Sequence, residues 1–325
     1  MKSSKSKMDT RSVKGLSLGT CSSCGKRTPI YFRRYSGVKL CSTCFKEDFI
    51  KRVRRTISRY GLFRYDDRIV VAVSGGKDSL VLLKILHEIE QDFPKSELSA
   101  ALIDEGIDSY RLDGLRTSRE IARILYIELH ESSFKDLYGF TLGEVVKSGI
   151  AEKLKLNPCT ICGILRRKAL VTVARELGAT VIATAHTLDD VVQTYLLNLL
   201  RGEKNIRPIG LRREAENIIP RVAPLRLTPQ RELALYAYLE GIPFQLRICP
   251  YTYESMRDEI RNFLTLYDYK YTGSLYAFLN TFERILGKIP RPAEINRCEI
   301  CGEPTDRRIC RACEIVLSIR SLLKN

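Results

Sequence analysis

Residues 68–90 read RIVVAVSGGKDSLVLLKILHEIE. The apolar run Ile69 to Val73 has the content of a strand buried on both faces, and the text from about Asp78 to Glu90 has that of a helix. Between them, Ser74-Gly75-Gly76-Lys77-Asp78-Ser79 turns strand into helix. Glycines let backbone come close to an anion, and the helix N-terminus presents free N–H groups and a positive dipole to it. The Gly-x4-Gly-Lys-Ser/Thr pattern of a Walker A loop is absent, so this is a phosphate loop of another kind.

On the C-terminal side the alternation continues with LSAALID (98–104), a helix over 112–125 and YIELHE (126–131). TVIATAHT (180–187), helices over 188–200 and 229–239, and FQLRIC (244–249) follow. Buried strands with helical crossovers predict an α/β, doubly wound, mostly parallel sheet, whose ligands lie outside the carboxyl ends of the strands. The stretches SMRDEIRNFLTLYDY and SLYAFLNTFERIL, within 255–289, read as helices packed on that sheet.

The chain has 325 residues and is 44% hydrophobic, which excludes disorder as its main state. Its apolar runs are far shorter than a membrane span and its first ten residues, MKSSKSKMDT, lack a signal peptide's apolar stretch, so the expectation is a cytoplasmic protein with no membrane association. The net charge of +16 is unevenly placed: residues 1–60 hold 16 basic and 3 acidic side chains, whereas residues 61–289 hold 31 and 30. A basic end on a neutral core marks a polyanion binder or, for the first 14 residues, a solvated tail.

All 11 cysteines fall into groups. Cys21, Cys24, Cys41 and Cys44 form two knuckles around a sixteen-residue loop, and Cys298, Cys301, Cys310 and Cys313 form two around an eight-residue loop. Both sets have the spacing of a four-thiolate zinc ribbon, so two Zn²⁺ ions are expected in structural roles. Cys159, Cys162 and Cys249 remain outside them. After the first ribbon, Phe45, Phe49, Val53, Ile57 and Leu62 recur near helical period, with Lys46, Lys51, Arg52, Arg54, Arg55 and Arg59 interleaved. This predicts an amphipathic helix whose basic face tracks a nucleic-acid backbone or is simply solvated. Three segments result: a basic ribbon and helix over 1–60, the α/β domain over 61–289, and the second ribbon over 290–325.

SGGKDS resembles the PP-loop of the ATP pyrophosphatases, whose shared fold is the Rossmann-like adenine-nucleotide α-hydrolase sheet. The ordered set of N-terminal ribbon, SGGKDS, PCTICGILRR (158–167), AHTLDD (185–190), a lone cysteine in RICP and C-terminal ribbon is similar to the tRNA 2-thiouridine synthetases, over Cys21 to Cys313. The resemblance implies a transferase that uses ATP and Mg²⁺ to adenylate a tRNA uridine at O2. Sulfide from a [4Fe-4S] cluster then replaces AMP. It implies that Ala72, Ser74, Gly75, Gly76, Lys77, Asp78, Ser79, the Ile103 backbone, Arg166, Ala185 and His186 hold the nucleotide, and that Cys159, Cys162 and Cys249 hold the cluster. Asp78, Arg166, Asp190 and the three cysteines are the candidate catalytic groups, with Asp190 set against Mg²⁺ or the activated uridine. His186 reads equally as catalytic or as an ordinary hydrogen-bonded histidine, and Asp189 as a first-turn partner of the helix dipole.

The sequence departs from the family in two places. Arg166 stands where relatives can have lysine, which keeps the charge but not a proton carrier, and Ala185 where glycine is usual. The partners implied are tRNA, a sulfur donor that is sulfide or a ubiquitin-like thiocarboxylate protein, and a second copy in a homodimer. The alternatives are a PP-loop cytidine thiolase, against which the ribbons weigh, a non-catalytic tRNA-binding partner, and persulfide chemistry at Cys162 and Cys249 without iron.

Overall fold

The computed structural model describes residues 19–107, 110–203, 206–214, 218–247, 249–251, 256–288 and 296–324, so the basic tail at the N-terminus lies outside the described residues. The chain divides into two compact units, Met1–Asp48 and Phe49–Asn325.

In the first unit β1 (Tyr31–Arg33) and β2 (Val38–Leu40) form an antiparallel hairpin, and helix α1 (Ser42–Tyr60) begins. The hairpin turns at Gly37, whose φ of +71° suits glycine. So small a unit has little apolar core beyond Leu40, Phe45 and the buried Cys21, Cys41 and Cys44.

The second unit opens with the rest of α1, then β3 (Arg68–Val73), α2 (Lys77–Glu90), β4 (Glu97–Asp104), α3 (Tyr110–Ile124) and β5 (Leu129–Ser133). Three short helices, α4 (Phe134–Tyr138), α5 (Leu142–Lys147) and α6 (Ile150–Lys153), lead to α7 (Pro158–Glu176), β6 (Val181–Ala183), α8 (Leu188–Leu200), β7 (Arg221–Val222) and α9 (Gln230–Leu239). After these come α10 (Met256–Lys270), α11 (Ser274–Leu286), the ribbon hairpin β8 (Asn296–Arg297) and β9 (Pro304–Thr305), and α12 (Arg311–Lys324).

The sheet is all parallel in the order β5-β4-β3-β6-β7, so the chain reverses its direction of travel between β3 and β6. That switch point opens a crevice at the carboxyl ends of these two strands. SGGKDS leaves one and AHTLDD the other, as the alternation predicted. Among the described residues, no helix is long and apolar enough to cross a membrane.

Three expectations change. FQLRIC forms no strand among its described residues: the Gln245 N–H donates to the Gly75 carbonyl (2.9 Å), so this segment is tied to the phosphate loop instead of to a sheet neighbour. YIELHE starts its strand late, at Leu129, because Tyr126 takes a left-handed turn (φ +53°) after α3. Helices α10 and α11 bury Ile260, Leu264, Leu275, Leu279 and Phe282 against Leu188, Val192 and Tyr195 of α8, so they cover that helix and not the sheet.

The basic helix is also less open than its charge suggested. Arg52 pairs with the fully buried Glu232, and Arg54 reaches Asp92 at 2.6 Å. Arg55 and Arg59 remain exposed.

Candidate nucleotide and sulfur site

The phosphate loop is held by its own hydroxyls. Ser79 Oγ donates to the Gly76 carbonyl (2.9 Å) and accepts from the Ser74 N–H (3.1 Å), closing the turn over the start of α2. Gly75 lies at φ +77°, and a Cβ there would stand 2.2 Å from Gly114 Cα. A Cβ on Gly114 would in turn meet the Ser74 carbonyl at 2.8 Å. The two glycines therefore let α3 cross directly over the loop, a role for Gly114 that sequence reading missed because it depends on a contact, not on a motif.

Lys77 Nζ and Asp78 Oδ1 are 2.6 Å apart at the mouth of α2. Burial lifts the Asp78 carboxyl above its usual range; Lys77 opposes this, and the charge of Asp190 across the crevice adds to it. Asp190 is partly committed already: its Oδ2 accepts from the Thr187 N–H (2.9 Å) and hydroxyl (2.7 Å) as the capping box of α8. Asp189 accepts from the Gln230 N–H (2.8 Å) and so fastens the start of α9. The Thr184 hydroxyl donates to the Val222 carbonyl (3.0 Å) and accepts from His186 Nδ1 (2.9 Å), which leaves Nε2 as the acceptor nitrogen. His186 keeps an exposed edge, yet loss of water around the ring lowers its pKa; Asp190 opposes this, and Arg221, Arg257 and Arg166 add to it.

PCTIC forms the first turn of α7. Asn157 caps the helix by accepting from the Cys159 N–H (2.8 Å), Pro158 occupies the first turn, and Cys159, Cys162 and Arg166 follow at helical spacing. A cavity of about 280 Å³ joins these three side chains to Cys249 and to Ser74 and Gly76 of the phosphate loop. Cys159 Sγ donates to the Tyr251 carbonyl at 3.2 Å. Burial pushes the Cys162 thiol up to about 12 and raises that of Cys159 as well.

Glu105, just past β4 and 2% exposed, sets its carboxylate 3.0 Å from Arg111 Nε and 3.3 Å from Arg166 Nη1. Burial alone would lower the Arg166 pKa, but the Glu105 carboxylate outweighs it and holds the guanidinium charged where it reaches into the cavity. Arg111 also donates to the Ser74 carbonyl (2.8 Å) and the Ile103 carbonyl (2.5 Å), so one buried pair fixes both strand ends. The Ile103 carbonyl accepts from Arg111, and the Ile103 side chain is core. Ala72 pairs with Ala101 near the end of β3, and Ala185 follows β6 beside His186.

Cys24 and Cys41 sulfurs lie 4.0 Å apart and those of Cys301 and Cys310 3.7 Å apart. A tetrahedral Zn–S bond of about 2.3 Å places sulfurs roughly 3.8 Å from one another, so both ribbons fit that ion. The Cys24 backbone N–H leads several donors that draw the Cys21 thiol down to about 6, toward the ligating thiolate. Among the described residues these two sets bring all their ligand atoms within 4.8 Å, and Cys159, Cys162 and Cys249 do not form such a set. Three thiols around one cavity wall, spaced more widely than a single ion requires, fit a cluster that leaves one iron without a protein ligand.

A strand-end loop of this make, closed on itself by serines and lying at the switch point of a parallel sheet, defines a PP-loop nucleotide-binding protein, and the PP-loop domain model matches residues 46–266. A probable sulfurtransferase of Methanocaldococcus jannaschii is 33% identical over 92% of this chain and 88% of its own length. The tRNA 2-thiolation protein NcsA of Haloferax volcanii is 33% identical over 93% and 99%. The solved structure of the U34-tRNA thiolase NcsA from Methanococcus maripaludis with its [4Fe-4S] cluster superposes with a TM-score of 0.80 at 30% identity, covering 92% of this chain and 96% of that one. The chain belongs to the PP-loop family, in the branch of the tRNA 2-thiolation proteins.

Proposed function

We propose that this protein is an ATP-dependent sulfurtransferase that converts the anticodon wobble uridine of tRNA to 2-thiouridine. The observation that carries the reading is the single cavity shared by the start of the PP-loop and Cys159, Cys162, Arg166 and Cys249. Nucleotide activation and sulfur delivery must meet at one carbon, and only a shared cavity allows near-attack distances for both. The Methanococcus maripaludis thiolase acts on U34 of tRNA, and that likeness supplies the choice of uridine.

Uridine O2 attacks the α-phosphorus of ATP, and pyrophosphate departs toward the N–H groups at the start of α2 and Lys77. Asp78 and Asp190 are placed to hold Mg²⁺, whose charge would offset that of the phosphates. Arg166, kept cationic by Glu105, faces the developing charge on the α-phosphoryl group. Sulfide then adds at C2, and AMP leaves with the former O2. Cys159, Cys162 and Cys249 would hold the [4Fe-4S] cluster, whose open iron supplies a binding place for that sulfide. The two ribbons hold zinc in structural roles.

The test compares Asp78→Ala with Cys249→Ala for tRNA-dependent pyrophosphate release and for 2-thiouridine by mass analysis. Asp78→Ala should lose both. Cys249→Ala should release pyrophosphate and make no thiouridine, and full thiolation by that variant would rule the assignment out.

A further inference from the structure

Three arginines from three different elements near the crevice have no carboxylate ion-pair partner among the described residues. Arg167 on α7 extends back over the first turns of its helix, where a Cβ on Gly163 would lie 3.5 Å from its Nη1. Arg221 is on the edge strand β7, in register with Ile182 of β6, four residues before His186. Arg257 opens α10, and its Nη1 donates to Gln193 Oε1 on α8 at 3.2 Å. All three are exposed, and among the described residues none lies within 4.0 Å of an Asp or Glu oxygen.

These side chains influence one another. Loss of water around the guanidinium, then Arg221, Arg166 and Arg257, hold Arg167 below its ordinary pKa. The first of these causes lowers Arg221 and Arg257 too, with Glu303 opposing it at Arg221 and Asp190 at Arg257. His186 lies in the same field, lowered by desolvation, and by Arg221, Arg257 and Arg166. Like charges gathered together cost stability in the free protein, and a polyanion that displaces their small counter-ions relieves that cost.

ATP already has a phosphate site, at Lys77 and the start of α2. The second cationic group lies outside the cavity lining, on α7, β7 and α10 near the strand end that carries His186, a place open to the phosphates flanking a splayed-out nucleotide. We infer that Arg167, Arg221 and Arg257 form a phosphodiester site that holds the RNA backbone beside the target uridine. The inference rests on the function proposed above. It relocates RNA contact from Arg52 and Arg54 of α1, which are engaged by Glu232 and Asp92.

The experiment measures tRNA binding by the full chain across a salt series, alongside ATP binding, for the unmodified protein and for Arg167→Ala/Arg221→Ala. The double variant should bind tRNA roughly tenfold more weakly, with the slope of log K against log salt flattened by about one to two. Its ATP affinity should be unchanged and its melting temperature no lower, since two like charges have been removed. Arg167→Lys/Arg221→Lys, which keeps the charges, should restore the slope. A double-alanine variant with wild-type tRNA affinity and slope overturns the inference alone. A fall in ATP affinity with tRNA binding intact assigns the arginines to the triphosphate and also overturns it. Failure of the unmodified protein to bind tRNA overturns the proposed function as well.

Discussion

The carboxylate of Glu105 stands 3.3 Å from the guanidinium of Arg166. The same carboxylate holds Arg111, whose other nitrogens donate to the carbonyls of Ser74 and Ile103. The guanidinium of Arg166 and the ends of two strands are therefore positioned by one buried acid. Glu105→Gln keeps the shape and removes the charge, which leaves Arg111 buried without a counter-ion. The expected cost is about 3 kcal/mol in urea unfolding. AMP formation should fall at least roughly tenfold as Arg166 loses its orientation.

The crossing of Gly75 and Gly114 is equally demanding. Alanine at Gly114 would push against the Ser74 carbonyl at 2.8 Å and Gln245 Oε1 at 2.6 Å. Backbone cannot yield there without opening the phosphate loop. Gly114→Ala should weaken ATP binding, measured by calorimetry, by roughly tenfold or more while the helix content holds. Gly75→Ala should be worse, since it adds strain of about 1–2 kcal/mol at φ > 0.

Asp67 provides a pH signature. It is 2% exposed, and its carboxylate accepts from Arg212 (2.5 and 3.2 Å), the Arg64 N–H (2.6 Å) and the Thr180 hydroxyl (2.7 Å). Burial would raise its pKa, but the Arg212 bond and the other donors together hold it below 3.8. A carboxyl depressed on folding stabilises the native state above its unfolded pKa and loses that contribution as pH falls through the folded value. Asp67→Asn should therefore destabilise by about 2 kcal/mol near neutrality. In acid denaturation curves the gap from wild type should close below pH 3.8.

Metal content should separate by cysteine set. Protein purified without oxygen should contain iron and acid-labile sulfide together with two zinc ions. Cys159→Ala, Cys162→Ala or Cys249→Ala should lose the iron and sulfide and keep the zinc. Iron that persists in Cys162→Ala would mean that another set of ligands holds it.

On α1, Arg52 and Arg55 should behave oppositely. Arg52→Ala removes one ion-pair partner of the fully buried Glu232 and should cost about 3 kcal/mol by chemical denaturation. Arg55→Ala, at an exposed position, should change stability by less than about 0.5 kcal/mol.

The sheet and the phosphate loop were legible because their signals are contiguous: a β-branched run, two glycines and a helix start within one stretch. The cysteine sets were legible from spacing alone. Glu105 and Arg111 were not, although an acid directly after a strand end was a usable hint, because their meaning comes from carbonyls 8 and 37 residues away from Arg111. FQLRIC alternates like a strand, and only the bond from Gln245 to Gly75 shows why it does not become one. Charge counting overstated the free basic face of α1, since the partner of Arg52 is 180 residues distant.

The helix that ends the second ribbon has a reach beyond its own metal. Ala312, Ile315 and Ile319 of α12 share one core with Ile161, Leu165 and Ala169 of α7. Arg320 donates to the Tyr138 carbonyl, and the Tyr138 hydroxyl donates to the Leu165 carbonyl, both at 2.8 Å. The backbone that aims Cys162 and Arg166 is thus braced by the last 14-residue helix, which the terminal thiolates anchor. Loss of whatever ion Cys298, Cys301, Cys310 and Cys313 hold would loosen α12 and, through it, the helix that carries Cys162 and Arg166.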